Sequence, residues 1–295
     1  MFKSGFVTII GRPNVGKSTL LNTVVGQKVS AISNKPQTTR NRITFIYTDD
    51  EMQVIFLDTP GIQKPKNKLG DYMLKTSEET LKEVDIITYI VDCSKEIGKL
   101  DSYIIENLKK LNKSTIILLI NKIDEIKKED LFEIIKMYSD LNLFNDIIPI
   151  SALRNDGVGN YLNILKTKLK EGPMYYPEDM VTDQPEKFIV AEIIREKGLR
   201  YLNEEIPHGL AISIEKIKER TDKNIMDIEA NIYVERESHK RIVIGSGGSM
   251  LKKIGSSARV EIEKLLDIKV NLKLWVKVEK NWRELDSKIK RFGYR

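Results

Sequence analysis

Gly11-Arg12-Pro13-Asn14-Val15-Gly16-Lys17-Ser18-Thr19 follows a short apolar run, residues 6–10, and leads into a helix-like stretch. In that strand–loop–helix context the pattern GxxxxGK[ST] carries a mechanism. Its glycines let the loop wrap inward, so that successive backbone N–H groups and the N-terminus of the following helix face phosphate oxygens. Lys17 is placed to reach the β- and γ-phosphates of a nucleotide, and the Ser18 hydroxyl to coordinate Mg²⁺. Asn14 has two readings: a ligand for a monovalent cation such as K⁺ near the phosphates, or an asparagine adopting a tight-turn conformation.

Three further segments fall, in order, where a guanine-nucleotide site needs them. Asp58-Thr59-Pro60-Gly61 follows a hydrophobic run, the place for an aspartate that holds Mg²⁺ through water and a glycine whose N–H meets the γ-phosphate. Asn121-Lys122-Ile123-Asp124 ends another apolar run. A carboxylate there accepts both N1–H and the exocyclic amine of guanine, a pair of donors that adenine lacks, which selects GTP over ATP. The aliphatic stem of Lys122 can lie against the base. Ser151-Ala152-Leu153 follows the last apolar run, and its small residues let backbone N–H groups approach the guanine O6. Between the first two motifs lies the polar segment 34–42, read as a switch in which Thr39, ahead of Thr38, completes the Mg²⁺ shell with Ser18 and Asp58. Lys17, Thr39 and the Gly61 N–H are then the groups that act on the γ-phosphate. The position after Gly61, where many such enzymes orient water with a glutamine, holds Ile62, and Gln63 is one residue out of place. Hydrolysis by the chain alone is expected to be slow.

Around these motifs, candidate strands at 6–10, 43–48, 53–57, 85–92, 115–120 and 147–150 alternate with amphipathic stretches at 69–83, 99–111, 128–141 and 158–170. That alternation predicts an α/β domain, a P-loop fold over residues 1–172 with a mostly parallel sheet. Residues 43–57 read as a hairpin around Asp49-Asp50-Glu51. Gly172, Pro173, Pro177 and Pro185 punctuate a polar stretch, and 173–186 is the expected linker. Beyond it the order is helix 187–202, strands 210–220 and 225–236, a glycine-rich turn, helix 257–266 and strand 268–278. Ile228, Ala230, Ile232 and Val234 share one face, so residues 187–295 predict a smaller α+β domain with helices covering one sheet face. A last basic helix is expected at 282–293, with Trp282, Leu285 and Ile289 on one side.

The 295 residues include 41% hydrophobic and 31% charged side chains, the profile of a soluble globular protein. No apolar run reaches the ~18 residues of a membrane span, and the start of the chain does not read as a signal peptide. A single cysteine, Cys93, excludes an internal disulfide framework and any cysteine-cluster zinc site, and points to a reducing cytoplasm. Net charge is +6, distributed as +3 over residues 1–172, −6 over 173–235 and +9 over 236–295. Such a basic block suits a polyanion, most simply nucleic acid, or else is a solvated lysine-rich surface. Within it, Ile242-Val243-Ile244 reads as a strand-like lead into Gly245-Ser246-Gly247-Gly248, followed by Lys252-Lys253, Gly255 and Ala258-Arg259. This VIGxxGxxxKxIGxxAR pattern is that of a KH domain, whose GXXG loop clamps about four nucleotides of single-stranded backbone. Arg241, Lys252, Lys253 and Arg259 are the candidate phosphate partners. Base stacking by Trp275 or Tyr294 is a further candidate without independent support.

With GRPNVGKST, QTTRNRI, DTPGI, NKID, SAL and HKRIVIGSGGSMLKKIGSSAR in place, the chain resembles the Era family of bacterial GTPases from end to end. The related Der and TrmE families fit less well, having respectively a second GTPase domain and a terminal cysteine motif. The resemblance implies a type II KH domain, GTP hydrolysis and binding of the 3′ end of 16S rRNA during maturation of the small (30S) ribosomal subunit. It also implies a cytoplasmic, monomeric protein with some peripheral association with the inner membrane. The family's nucleotide contacts fall on residues 11–19, 58–62, 121–124 and 151–153, and its RNA contacts on 245–248 and their basic neighbours. Ser246-Gly247 stands where many KH loops carry a cation, so one phosphate contact is missing or moved to Lys252. Two alternatives remain open at this point: an RNA-binding module whose nucleotide site senses without useful turnover, and a signalling GTPase whose basic end meets anionic lipid.

Overall fold

The computed structural model describes residues 1–33, 35, 37–62, 65–111, 115–220 and 223–294. Gln63 lies outside the described residues. The chain divides into two compact units, one comprising Met1–Val29, Thr39–Pro65 and Gly70–Asp183, the other Ser30–Thr38, Lys66–Leu69 and Gln184–Arg295.

The first unit runs β1 (Lys3–Ile10), α1 (Lys17–Val25), β2 (Ile43–Thr48), β3 (Met52–Asp58), α2 (Lys68–Glu83), β4 (Ile86–Val91), α3 (Lys99–Lys109), β5 (Thr115–Asn121), α4 (Lys128–Ser139), β6 (Asp146–Ile150), α5 (Val158–Lys168) and β7 (Lys170–Glu171). The sheet order is β2-β3-β1-β4-β5-β6, with β7 pairing antiparallel to β1. Only β2 also runs antiparallel to its neighbour, the outcome of the expected hairpin; β1, β3, β4, β5 and β6 are parallel. Central strands are buried along their length, every residue of β3 and β4 included, which is why they read as unbroken apolar runs and not as alternating ones. The phosphate loop, the Asp58 segment and the Asn121 segment all leave the carboxyl ends of β1, β3 and β5, the end of an open α/β sheet where ligands bind.

Residues 173–183, expected as linker, belong to this unit. Gln53 on β3 is fully buried; its amide N–H groups donate to Thr48 Oγ1 (3.0 Å) and the Tyr176 carbonyl (2.9 Å), and its Oε1 accepts from the N–H groups of Tyr175 (2.7 Å) and Tyr176 (3.0 Å). Further along, Ile46 N–H donates to the Val181 carbonyl and Thr182 Oγ1 to the Thr44 carbonyl. The break between the units falls at 183/184.

The second unit runs α6 (Glu186–Tyr201), β8 (Ala211–Arg220), β9 (Ile225–Val234), α7 (Glu237–Ile244), α8 (Ser249–Leu266), β10 (Lys269–Val278) and α9 (Asp286–Arg291). Its sheet order is β10-β9-β8, with β9–β10 parallel. Ile228, Ala230, Ile232 and Val234 are all buried, packed with Val190, Ile193 and Ile194 of α6 and Ile254, Ala258 and Ile262 of α8. Three expectations change. Residues 242–244 are not a strand but the end of α7: helical spacing buries Val243 and leaves Ile242 half exposed, whereas strand alternation would have given both isoleucines one face. The helix expected from 257 starts at Ser249, because Gly255 sits inside α8 against Leu274. The expected helix at 282–293 is a single turn, Trp282–Glu284, followed by the short α9; Trp282 is buried with its indole N–H on the Gly209 carbonyl, while Leu285 is exposed.

Candidate nucleotide site and nucleic-acid interface

The phosphate loop is shaped by its own glycines and by Asn121. Gly16 has φ 105°, and a Cβ there would lie 2.2 Å from Asn121 Nδ2, so no other residue fits. That amide donates to the Val15 carbonyl at 2.7 Å, and Asn121 Oδ1 accepts the Ala152 N–H at 2.9 Å. Asn121 thus ties the phosphate loop to the 151–153 segment. Asn14 has φ 68°, the tight-turn conformation of one of its two readings, which leaves the cation reading open.

Lys17 is buried, and its ammonium donates to the carbonyls of Gly11 (3.0 Å) and Arg12 (2.9 Å). Burial lowers its pKa to about 8 against the opposing pull of Asp58. Gly61 stands against this ammonium: a Cβ on it would come within 3.4 Å of Lys17 Nζ and of the Pro13 nitrogen. Ser18 Oγ and Thr39 Oγ1 lie 3.2 Å apart, and both approach Asp58 Oδ2, at 3.4 and 3.3 Å. Adjacent oxygens around Mg²⁺ bound at ~2.1 Å are separated by roughly 3 Å, so this all-oxygen trio fits a small hard cation. Thr38 Oγ1, the other threonine considered, turns to the Lys35 carbonyl at 2.6 Å.

Asp58, Thr59 and Pro60 are buried, and Ser77 on α2 donates to the Pro60 carbonyl at 2.9 Å, holding this segment from below. Ile62 is buried among Ile10, Ile87 and Tyr89, so its side chain faces the core and orients no water. At the base-reading end, Asp124 accepts a 2.6 Å hydrogen bond from Ser151 Oγ and pairs with Arg154 at 3.4 Å. Lys122 adopts φ 70° between them. The Ala152 N–H, expected to approach guanine O6, is engaged by Asn121, and the Leu153 side chain is exposed. Thr23 on α1 fixes this loop through the Ala152 carbonyl at 3.0 Å, a role no motif announces. Arg12, a candidate nucleotide contact as part of the phosphate loop, turns its guanidinium away to pair with Asp92 and donate to Ser94 Oγ at 2.8 Å.

In the second unit, Gly245, Gly247 and Gly248 have positive φ, so the loop between α7 and α8 makes a turn that side-chain-bearing residues rarely adopt. Beside it lies a groove of about 340 Å³ lined by Gly248, Leu251, Lys252, Gly255, Ser256, Arg259, Leu272 and Leu274. Lys252, Gly255, Ser256 and Arg259 follow i, i+3, i+4, i+7, one face of α8. Leu251, Leu272 and Leu274 line the groove beside the cations Lys252 and Arg259, so apolar surface and positive charge share it. Lys253, the neighbouring candidate, does not join them: its ammonium sits 4.5 Å above the Tyr201 ring. Arg241 is exposed on α7, its carbonyl accepting the Gly245 N–H, and is not among the groove-lining residues. Ser246 is in the loop turn. Tyr294 is buried against Trp282, leaving Trp275 the more exposed of the two aromatic candidates.

A family model described as 50S ribosome-binding GTPase matches residues 6–122, and one described as KH domain matches residues 205–283. The chain is 57% identical over 295 residues to GTPase Era of Clostridioides difficile strain 630, covering 100% of this chain and 99% of the relative. It is 54% identical over 293 residues to GTPase Era of Alkaliphilus oremlandii strain OhILAs, covering 99% of each. Among solved structures, Era in complex with MgGDPNP and nucleotides 1506–1542 of 16S ribosomal RNA is similar at TM-score 0.95 and 40% identity, covering 100% of this chain and 99% of that one. An Aquifex aeolicus Era variant bound to GDP·AlF4⁻ is similar at TM-score 0.94 and 40% identity, covering 99% of each.

Proposed function

The chain belongs to the Era family of GTPases, with a GTPase domain and a KH domain, and from that premise we propose that it binds the single-stranded 3′ end of 16S rRNA as an assembly factor of the small ribosomal subunit, its nucleotide state controlling that binding. The observation that carries the reading is the cationic, leucine-lined groove beside the glycine loop, on the same chain as a complete nucleotide site. The similar Era structure holding both a GTP analogue and nucleotides 1506–1542 supports it.

In the nucleotide site, Lys17 gives up its two carbonyl acceptors for phosphate oxygens, and Asp124 accepts the two guanine donors in place of Ser151 and Arg154. Ser18, Thr39 and Asp58 would hold Mg²⁺, which supplies charge neutralisation at the β- and γ-phosphates. Thr39, whose hydroxyl lies with Ser18 and Asp58, would sense the γ-phosphate through the metal these three hold. With Ile62 in the core, no side chain at that position activates water, so turnover by the chain alone is slow and rests on backbone groups, Thr39 and bound cations. A K⁺ ion beside Asn14 is part of this proposal; a higher kcat in KCl than in NaCl is expected, and equal rates remove it. We place the protein in the cytoplasm as a monomer, with the peripheral inner-membrane association of its family; no helix among the described residues is long and apolar enough to cross a membrane.

The test is the affinity for a short single-stranded RNA copying the 16S 3′ end, measured with a non-hydrolysable GTP analogue and again with GDP. Tighter binding in the GTP state is expected. Equal affinity would leave hydrolysis a separate timer, and no binding in either state would overturn the rRNA assignment. The alternative, a nucleotide site that senses without useful turnover, is separated by a single-turnover hydrolysis rate.

A further inference from the structure

Arg12 is the second residue of the phosphate loop, yet its side chain leaves the loop for a cluster that no nucleotide motif contains. Its Nη2 pairs with the Asp92 carboxylate at the end of β4 and donates to Ser94 Oγ at 2.8 Å. Its Nε lies 3.3 Å from Asp101 Oδ2, an ion pair made by proximity and not by a hydrogen bond. Asp101 sits in the first turn of α3 and is only 2% exposed. Its other oxygen accepts the phenol O–H of the buried Tyr89 at 2.7 Å.

A carboxylate that deep in the molecule is stable only with compensation. Here it has a guanidinium, a phenol O–H and the positive end of a helix. The arrangement also has a direction. The main-chain carbonyl of Arg12 is one of the two that hold the Lys17 ammonium. Pinning the guanidinium to α3 and β4 therefore fixes the peptide that sets where Lys17 starts from when phosphates arrive. Asp92, the other partner, is a strand-end residue whose side chain is 23% exposed, whereas that of Asp101 is 3% exposed.

We propose that Asp101, on α3 and outside every nucleotide motif, is a positioning residue for GTP binding and hydrolysis that acts through Arg12. It touches no substrate; it holds the side chain whose backbone carries part of the phosphate cradle. A loop displaced by even ~1 Å costs on the order of a hundredfold in rate, so loss of half of this anchor is expected to cost about tenfold.

The inference rests on the nucleotide-site reading above, and the unaltered chain serves as the control for that reading: if it fails to bind GDP, the reading itself has failed. Asp101→Asn and Arg12→Ala are made singly and together in the full-length chain, and kcat/KM for GTP is measured with the affinities for GDP and guanosine. Each single change should lower kcat/KM about tenfold and weaken GDP, while guanosine, which lacks phosphates, binds as before. The double variant should be no worse than Arg12→Ala alone, and Arg12→Lys should recover part of the loss. Multiplying losses in the double variant, or guanosine and GDP weakening together, would overturn the proposal, since both are signs of a merely structural role. An unchanged kcat/KM in Asp101→Asn would do the same. Should Asp101→Asn fail to fold, Tyr89→Phe removes only the phenol O–H and should weaken GDP over guanosine by a smaller factor; no change in that ratio would overturn the idea.

Discussion

Asp124 holds its place through a hydroxyl: the 2.6 Å bond from Ser151, with Arg154 nearby, keeps its carboxyl below the usual carboxylate range. It is therefore ionised whenever a base arrives. Asp124→Asn exchanges one acceptor for a donor, so GTP affinity should fall roughly a hundredfold or more and xanthosine triphosphate should gain. Retained GTP selectivity in competition binding would remove Asp124 from the base-reading role. Cys93 behaves differently. Its thiol donates to the Asn121 carbonyl at 3.1 Å, and burial with nearby Asp92 pushes it up to about 11. Alkylation by iodoacetamide at pH 8 should be much slower than for free cysteine and accelerate as pH rises toward 11. At this scale the motif residues were legible because phosphate, metal and base chemistry demand particular side chains at particular spacings. Asp101, Thr23 and Gln53 were not, because their roles arise from contacts between segments far apart in sequence. The direction of the Arg12 side chain was not legible for the same reason: spacing places its backbone in the loop, while the course of its guanidinium depends on α3 and β4.

The hairpin of β8 and β9 shows what an element adds. Arg220 donates through both Nε and Nη2 to Asp227 at 2.6 Å, and Asn271 on β10 adds a 2.7 Å bond. Chiefly through Arg220, the Asp227 carboxyl lies far below its ordinary range. A carboxylate depressed in the folded state contributes stability above its unfolded pKa, ~3.9, and loses it as pH falls toward the folded value. Asp227→Asn should therefore lower the thermal midpoint at pH 7, with the gap narrowing below about pH 4; a gap that persists at pH 2 would mean that packing, not charge, is responsible. In the loop between α7 and α8, aspartates at Gly247 and Gly248 place carboxylates and strained backbone where phosphates should lie. RNA binding should be lost and GTP affinity spared. Unchanged RNA affinity by fluorescence anisotropy would move the interface elsewhere. The run Ile242-Val243-Ile244 misled because β-branched residues favour strands locally, while burial of Val243 alone satisfies a helix.

For the whole molecule, the order of motifs along the chain placed them at the carboxyl ends of parallel strands, and that much of the architecture followed from apolar runs long enough to be buried on both faces. Boundaries were less legible: the proline-punctuated stretch looked like a linker because polarity and prolines cannot tell a free tether from a segment whose backbone is hydrogen-bonded to a sheet. The basic excess of +9 over residues 236–295 makes the proposed RNA binding a salt-sensitive property of one part of the chain. If Lys252 and Arg259 each neutralise one phosphate, log affinity should fall against log salt with a slope of about −1.4. A slope near zero would assign binding to the groove's leucines alone. Strand β2 ends the strand order, and such an edge offers unpaired N–H and C=O groups to any passing chain. Val181 and Thr182 bond to it at Ile46 and Thr44, and Tyr175 and Tyr176, earlier in the same segment, are held by Gln53 of β3. This strap does no catalysis and reads no RNA, yet it stops one molecule from zipping onto the next. Loosened, as by Gln53→Leu, the protein is expected to keep its chemistry in dilute solution and turn cloudy when concentrated.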